Sequence, residues 1–349
     1  MHLDLYVALA ALIVGFTVGL TGMGGGALMT PILVLLFKVE PLAAVSSDLV
    51  AAMVMKPIGG AVHLRRGTVR WELVRWLAIG SVPSAFAGVF ILRSLGEGEQ
   101  VQDTIKTLLG ATLMLAAGAM VVKSWLQGRR TRRLREARAE PGPLAPMRVR
   151  ALPTLLLGAV GGLLVGMTSV GSGSVIIVCL MLLYPALRSA ELVGTDLAQA
   201  VPLVASAAIA HILFGEFELG LTSSVLVGAI PGVYVGARVS SKAPDGLIRP
   251  ALVYVLLASG LKLVNVPTAT LGFVLLAVAI VGLPLWGAVD AFSHPQRDWT
   301  RAGLDRDRWI RMQAAGAPFG VGFAAAIAYF AKTRPQLEAV ATATAERAA

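Results

Sequence analysis

The chain has 349 residues, of which 56% are hydrophobic and only 14% are charged. Soluble domains carry about 25% charged residues, so this composition excludes an ordinary soluble protein. The net charge is +10, but most lysines and arginines lie in short loops between apolar runs, which argues for a lipid bilayer and against a nucleic-acid partner. The sequence therefore predicts an all-α polytopic membrane protein, since a spanning barrel would show short alternating segments instead.

Ten apolar segments follow one another, near residues 3–37, 42–63, 73–93, 105–127, 152–183, 190–214, 220–240, 247–265, 270–290 and 315–332. The first and the fifth are too long for one span, because residues 3–37 as a single helix would run roughly 50 Å against a hydrocarbon core of about 30 Å. Each carries small residues in its middle, TGMGGGA in the first and TSVGSGS in the second. We favour a re-entrant hairpin at this cluster over a bent single span, because the hairpin reconciles the number of crossings with the loop charges.

The two halves of the chain repeat one another. GLTGMGGGA aligns with GMTSVGSGS and SSDL aligns with GTDL, after which His63 falls on His211 and Gly88 on Gly236. The loop after His63, LRRGTVRWELVR, is basic, whereas the loop after His211, ILFGEFELG, is acidic. Because basic loops remain in the cytoplasm, the halves are predicted to be inverted repeats, each with a glycine-interrupted first segment and three further spans.

These features divide the chain into five parts. Residues 1–127 and 151–266 are the two predicted repeats, and residues 128–150 form a basic linker on the cytoplasmic side. Residues 267–332 form an appended two-helix segment that has no counterpart in the repeat. The Ala/Thr-rich residues 333–349 are predicted to be a disordered tail.

Inverted repeats with interrupted helices are a recurrent plan of secondary transporters, which bind their substrate near the membrane midplane. Helix N-termini at the interruptions offer unpaired N–H groups and about half a positive charge, and glycines let an anion approach them closely. Close packing of helices is the alternative reason for such small residues, and both roles can hold together. The predicted substrate-binding residues are Thr21, Gly24, Gly25, Gly26, Thr168, Gly171, Ser172 and Gly173, together with Lys56.

Lys56 lies within the apolar run DLVAAMVMKPIGGAVH, and Val204 stands at the equivalent position of the other half. A buried lysine needs an anionic partner, which is either the substrate or a structural pair with Asp48 or Asp196. These two aspartates are equivalent and each follows Ser or Thr near the start of a span. We expect them to cap helix N-termini, with orientation of the site or ion coupling as the alternative.

His63 and His211 lie near the ends of the same spans. Each could shuttle protons or could be an interfacial side chain bonded to a backbone carbonyl group. A divalent metal on these histidines and the two aspartates is a further alternative, since imidazole and carboxylate both suit one. No P-loop, H-E-x-x-H motif or dinucleotide fingerprint is present, so the sequence predicts neither an ATP-driven pump nor an enzyme, and no cofactor.

Three strings resemble a known family. GLTGMGGGALMTPIL, SSDLVAAMVMKPIGGAVHLRRGTVRWELV and GSVPSAFAG resemble the first half of the bacterial sulfite exporter TauE/SafE family, and GTDLAQAV with GAIPGVYVGA resembles its second half. The likeness covers about residues 8–265. It implies a transporter in the bacterial inner membrane that moves sulfite, sulfonates or other small organic anions, usually outward. SSDL stands where GTDL is usual, and the segments after residue 265 are not part of the common pattern.

The sequence thus predicts a multi-pass inner-membrane exporter of a small, sulfur-containing anion that works by alternating access. A divalent-metal transporter is the first alternative. A membrane anchor or assembly protein that acts through its C-terminal segment is the alternative of another class. The oligomeric state stays open, and a homo-oligomer is compatible with the sequence.

Overall fold

The computed structural model describes residues 4–21, 26–65, 67–94, 96, 98–136, 148–187, 189–214, 217–239, 245–316 and 321–346. The chain divides into two compact units. The first comprises Met1–Met120, Met147–Ala243 and Val255–Val266, and the second comprises Val121–Pro146, Pro244–Tyr254 and Pro267–Ala349. The described residues contain no named strand, so the predicted all-α class is confirmed.

Among the described residues, ten helices begin in or cross the first unit. They are α1 (Leu5–Thr21), α2 (Gly26–Leu35), α3 (Pro41–Arg65), α4 (Trp71–Ser94), α5 (Glu99–Glu136), α6 (Ala151–Thr168), α7 (Val175–Leu183), α8 (Ser189–Leu213), α9 (Leu219–Val239) and α10 (Asp245–Leu263). The second unit adds α11 (Thr268–Ala277), α12 (Leu283–Ser293), α13 (Gln296–Arg301), α14 (Arg306–Ala314), α15 (Val321–Ala328) and α16 (Arg334–Glu346). Single π-helical turns join α11 to α12 and α15 to α16.

Six stretches of the described residues are long and apolar enough to cross a membrane. They are Trp71–Ser94, Glu99–Gln127, Ala151–Thr168, Ala190–Leu213, Leu219–Gly236 and Thr268–Ser293. On α6, Leu152, Leu156 and Val160 form an exposed apolar stripe at helical spacing. Such a stripe suits contact with lipid and not with water, so the protein is a polytopic membrane protein.

Each overlong apolar segment is built as two helices, as its small-residue cluster predicts. Helix α1 ends at Thr21 and α2 begins at Gly26, while α6 ends at Thr168 and α7 begins at Val175. The second interruption has a visible backbone cause, because Ser169, Gly171 and Gly173 have φ angles of 59°, 128° and 88°. A right-handed helix cannot continue through left-handed residues, and glycine adopts them without steric cost.

The most extensive helix contacts join α1 to α9 and α4 to α6. In the first pair, a Cβ atom on Gly228 would collide with the carbonyl oxygen of Ala8. In the second pair, a Cβ atom on Gly80 would collide with the carbonyl oxygen of Leu155. Gly80 precedes Gly88 by the same interval as Gly228 precedes Gly236, so positions aligned in the sequence make matching contacts.

The second unit has its own aromatic core. Its fully buried centre includes Trp299 and Tyr329, whose rings stack with centroids 6.2 Å apart. Asp290 of α12 accepts hydrogen bonds from the Tyr329 hydroxyl at 2.8 Å and from Arg334 Nε at 3.2 Å. These bonds connect α12 to the helix that runs from α15 into α16, which are the two helices of the predicted appended pair. Two short helices that were not predicted, α13 and α14, lie between them in the chain.

The structure differs from the prediction at two polar stretches. Helix α5 continues to Glu136, eight residues beyond the predicted start of the linker at 128. Helix α16 occupies Arg334–Glu346, within the tail predicted to be disordered. Leu337 explains the second difference, since it is completely buried in the aromatic core, and Arg334 pairs with Glu338 one turn away at 3.1 Å.

Candidate functional site

The two helix interruptions meet in the first unit. Gly26 is buried at the start of α2, and a Cβ atom there would collide with the carbonyl oxygen of Ser169, the first residue after α6. Only glycine permits so close an approach of two backbones. The glycine cluster of the first half thus ends directly against the serine-rich break of the second half.

Asp48 of α3 lies at this meeting point and is 3% exposed. Its Oδ2 atom accepts hydrogen bonds from Thr30 Oγ1 of α2 at 2.9 Å and from Ser169 Oγ at 2.6 Å. The expected N-cap role is wrong for both aspartates. Helix α3 begins at Pro41 and α8 at Ser189, so Asp48 and Asp196 lie about two turns inside their helices.

Lys56 reaches the same break from deeper in α3. Its Nζ atom donates a hydrogen bond to Ser172 Oγ at 2.6 Å, and the residue is 8% exposed. Asp48 and Asp196 both attract its charge electrostatically. The hydrogen bond of this ammonium group therefore goes to a hydroxyl group at the interruption, while the two carboxylates supply a surrounding negative field.

Asp196 has different partners from its equivalent in the first half. Gln199 Nε2 donates to Asp196 Oδ1 at 3.5 Å, and Ser81 Oγ of α4 donates to Gln199 Oε1 at 3.2 Å. All three residues are buried. This polar chain crosses from α8 to α4, whereas the hydrogen bonds of Asp48 connect α3 to the interruptions.

His211 is completely buried between two hydrogen-bonding groups. Its Nε2 lies 3.1 Å from the carbonyl oxygen of Gly166, which can only accept, so Nε2 carries a hydrogen and donates. Its Nδ1 lies 2.8 Å from Ser46 Oγ of α3. This contact agrees with the alternative in which the histidine is bonded to a backbone carbonyl group, and the proton-shuttle alternative stays a prediction.

A cavity of about 1420 Å³ opens beside His211. It is bounded by the end of α2, the start of α3, the ends of α4, α8 and α10, and the start of α5. The predicted orientation assigns all of these helix ends to the outer face of the membrane. Its charged lining residues are Lys38, Arg93, Lys106, Lys262, Glu40, Glu99 and Asp103.

A family model described as sulfite exporter TauE/SafE matches residues 7–263. The chain belongs to the sulfite exporter TauE/SafE family. It is 38% identical over 259 residues to the Bacillus subtilis protein named "Probable membrane transporter protein YjnA", covering 74% of this chain and 98% of that relative. The B. subtilis protein named "Probable membrane transporter protein YdhB" is 27% identical over 260 residues, with the same coverage. No solved structure matches this chain.

Membership of the TauE/SafE family confirms the resemblance and makes the protein a membrane transporter, a class that is in general not enzymatic. The matched region ends at residue 263, before α11 begins. The appended helices α11–α16 therefore lie beyond the part that this transporter shares with the family.

The TauE/SafE fold brings together some of the predicted site residues and separates others. Gly26, Lys56, Asp48 and Ser172 converge at the interruptions, whereas Thr168 Oγ1 donates to the Leu164 carbonyl group one turn back, at 2.6 Å. Gly171 and Gly173 shape the second break.

Four predicted site residues lie wholly or partly outside the described part of the chain. Gly24 and Gly25 lie outside it entirely. For Thr21 and His63 only the backbone is described, and it is helical.

Several polar partners were not predicted from the sequence, among them Thr30, Gln199, Ser46 and Ser81. Thr30 stands one helical turn after Gly26, and Gln199 stands one turn after Asp196, so helical spacing from a predicted residue could have indicated both. Ser46 offers no such signal, because its partner His211 comes from the other half of the chain.

Proposed function

We propose that this TauE/SafE transporter exports sulfite, a sulfonate or a related small organic anion across the inner membrane by alternating access. The observation that carries the proposal is the meeting of the two helix interruptions beside a buried lysine. Lys56 Nζ already holds a hydroxyl group of the second break, at 2.6 Å from Ser172. An oxyanion could replace that hydroxyl group and gain both a charge-assisted hydrogen bond and backbone N–H donors.

The backbone of the second interruption suits an anion. Residues in left-handed conformations alternate with others between Ser169 and Gly173. Where left-handed and right-handed conformations alternate, successive N–H groups can turn toward one side and form an anion-binding concavity, and we propose that role for this break. Helix α7 begins directly afterwards, at Val175, so its N-terminal dipole adds positive potential.

The inverted-repeat arrangement is supported by matching contacts and by helix length. Helices α1 and α6 are equivalent in the predicted repeat, as are α9 and α4, and the pairs α1–α9 and α4–α6 make the most extensive contacts. Helix α2 has 10 residues and α7 has nine. At 1.5 Å per residue each is only about 15 Å long, half of the roughly 30 Å hydrocarbon core, which favours re-entrant segments.

The charges of the site favour coupling to protons. With Lys56 positive and both Asp48 and Asp196 ionised, the three side chains carry a net charge of about −1, which repels an anion. Protonation of one carboxylate removes this net charge, and protonation of both makes it positive. Binding of the anion and uptake of a proton therefore assist each other in the proposed mechanism.

The test is flux of radiolabelled sulfite or a sulfonate from proteoliposomes, with and without a proton gradient. Because the proton would move with the anion, we expect flux of the wild-type protein to be faster when the compartment that the anion leaves is the more acidic one. In the Asp48→Asn and Asp196→Asn variants, flux should lose part or all of its dependence on the gradient. If neither anion moves faster than in protein-free liposomes, the proposed substrate class is contradicted. If both variants keep the gradient dependence of the wild-type protein, the proposed coupling to protons is contradicted.

No observation favours the divalent-metal alternative. Within the described residues, His, Cys, Asp and Glu side chains form no group of three that could hold a metal ion. Asp48 bonds to hydroxyl groups, and His211 bonds to Ser46 and Gly166. A thermal-shift assay with divalent cations serves as the control for the flux experiment, and we expect no cation-specific stabilisation.

A further inference from the structure

The polar segment between the two appended apolar helices is basic. Five arginines lie between residues 297 and 311, together with three aspartates, and they occupy α13, α14 and the loop between them. The preceding stretch, Thr268–Ser293, is long and apolar enough to cross a membrane. The arginines therefore follow directly on a candidate span, which is where basic residues on the cytoplasmic side concentrate.

The apolar surface of that span ends at the arginines. Leu285, Val289 and Phe292 are exposed at helical spacing on α12, with relative exposures of 47%, 44% and 50%. The guanidinium group of Arg306 lies over the Phe292 ring, 5.6 Å from its centroid. An exposed apolar stripe that ends under a guanidinium group marks the depth at which hydrocarbon gives way to headgroups.

The aspartates of this segment are already engaged. Asp298 is buried with 3% exposure, and Asp305 caps α14 by accepting from the N–H groups of Asp307 and Arg308. Asp307 lies 3.4 Å from Arg306 Nε. The carboxylates therefore serve the fold of the segment or pair locally, and they leave positive charge on its outer face.

Arg308 and Arg311 carry that charge. Both are exposed, and they lie one turn apart on the face of α14 opposite to buried Gln313. Met312 is 39% exposed beside them. The combination of two exposed guanidinium groups with an adjacent apolar side chain is typical of a helix that lies in the membrane interface.

We propose that α14 lies at the cytoplasmic membrane surface and binds anionic phospholipid headgroups through Arg308 and Arg311. The positive charge of these arginines complements a phosphate group, and the apolar stripe that ends at Phe292 places them at the depth of the lipid headgroups. Both observations favour a lipid phosphate over an acidic protein as the ligand. The site belongs to the appended segment and does not depend on which anion the transporter carries.

The experiment uses the full-length protein in detergent, titrated with mixed micelles that contain phosphatidylglycerol or phosphatidylcholine. Binding is measured by native mass spectrometry and by thermal stabilisation, since a ligand of the folded state raises its melting temperature. A basic residue near an anionic surface contributes about 1 kcal/mol, or a factor of about five in affinity. The Arg308→Gln/Arg311→Gln variant should therefore bind phosphatidylglycerol about 25-fold more weakly, with unchanged binding of phosphatidylcholine.

Asp307→Asn is the matched variant in the opposite direction, because it frees Arg306 from its carboxylate partner. It should bind phosphatidylglycerol more tightly than the wild-type protein, a gain that a misfolded variant would not give. Equal affinity of the wild-type protein and the double-arginine variant for phosphatidylglycerol would overturn the proposal. Displacement of the lipid by an equal concentration of inorganic phosphate would also overturn it, because the site would then recognise a free anion.

Discussion

At the scale of single residues, Lys56 is a buried cation whose hydrogen bond goes to a neutral hydroxyl group. A buried ammonium group costs free energy unless an opposite charge and hydrogen bonds compensate it, and the two neighbouring aspartates already hold other hydrogen bonds. A small anion at the interruption would complete the surroundings of the ammonium group. Removing the charge of Lys56 should therefore weaken anion binding more than removing its hydroxyl partner, Ser172.

We expect Lys56→Gln to weaken anion binding at least tenfold, which corresponds to about 1.4 kcal/mol, because a neutral amide replaces the ammonium group. Ser172→Ala should have a smaller effect, since the anion itself takes the place of the hydroxyl group. Isothermal titration of the purified protein measures both. Arg75→Gln, at an exposed position of α4, is the control. Wild-type affinity in Lys56→Gln would exclude this lysine from the site.

Gly26→Ala tests the contact between the interruptions. The new Cβ atom would collide with the Ser169 carbonyl oxygen, and overpacking of this kind costs about 1–3 kcal/mol. We expect a lower melting temperature in detergent. Gly118→Ala is the matched control, because nothing lies within 4 Å of its Cβ position in α5 and alanine there stabilises a helix by about 1 kcal/mol. Equal melting temperatures for the two variants would contradict the close approach.

The sequence was sufficient to predict part of this site. Glycine clusters and an ionisable residue within an apolar run are visible without a structure, and they led to Gly26, Lys56 and Asp48. The N-cap expectation for Asp48 was wrong because the residues between Pro41 and Asp48 continue the helix instead of preceding it. Thr30 could be found only as a neighbour, since hydroxyl side chains are common in spans and their partners depend on which helix faces meet.

At the scale of helices, two pairs use the same contact. Backbone carbonyl groups of α1 and α6 lie against glycines of α9 and α4 respectively. The loops and apolar lengths indicated the spans, but they could not indicate that the first helix of each half packs on the second of the three further spans of the other half. That pairing depends on the small residues of both surfaces, which allow close approach in a medium where apolar surface gives no driving force.

Gly80→Val and Gly228→Val should therefore destabilise the protein to a similar extent. Each branched side chain would meet a carbonyl oxygen, of Leu155 in one variant and of Ala8 in the other. Thermal unfolding in detergent is the measurement. Gly272→Val in α11 is the control, because its Cβ position has no neighbour within 4 Å. Strong destabilisation by one variant and none by the other would argue against equivalent interfaces.

At the scale of the whole molecule, the family match and the interruptions lie in the same part of the chain. The matched residues end at 263, whereas the aromatic core around Trp299 and Tyr329 belongs to the second unit. The sequence distinguished the appended segment from the repeats, but it did not reveal that the tail would fold. Leu337 contributes one apolar residue to that core, which is too weak a signal in an Ala/Thr-rich stretch.

Removal of residues 268–349 should leave anion flux measurable, because every residue of the proposed anion site precedes the deletion. Flux from proteoliposomes, normalised to the amount of protein inserted, is the measurement. The Lys56→Gln variant of the full-length chain provides the reference for weakened anion binding. Loss of flux in a truncated protein that still inserts and remains monodisperse would favour the alternative in which the C-terminal segment carries the activity.

The proposed inverted arrangement of the repeats predicts that equivalent loops lie on opposite sides of the membrane. Glu72 lies within the basic stretch LRRGTVRWELVR after His63, and Glu218 lies within the acidic stretch ILFGEFELG after His211. Both side chains are exposed. The chain has a single native cysteine, Cys179, so a Cys179→Ala background allows one new thiol to be followed at a time. In intact cells a membrane-impermeant maleimide should label Glu218→Cys and should label Glu72→Cys only after the membrane is opened. Labelling of both cysteines from the same side would make the repeats parallel, and alternating access between inverted halves would then fail as a mechanism.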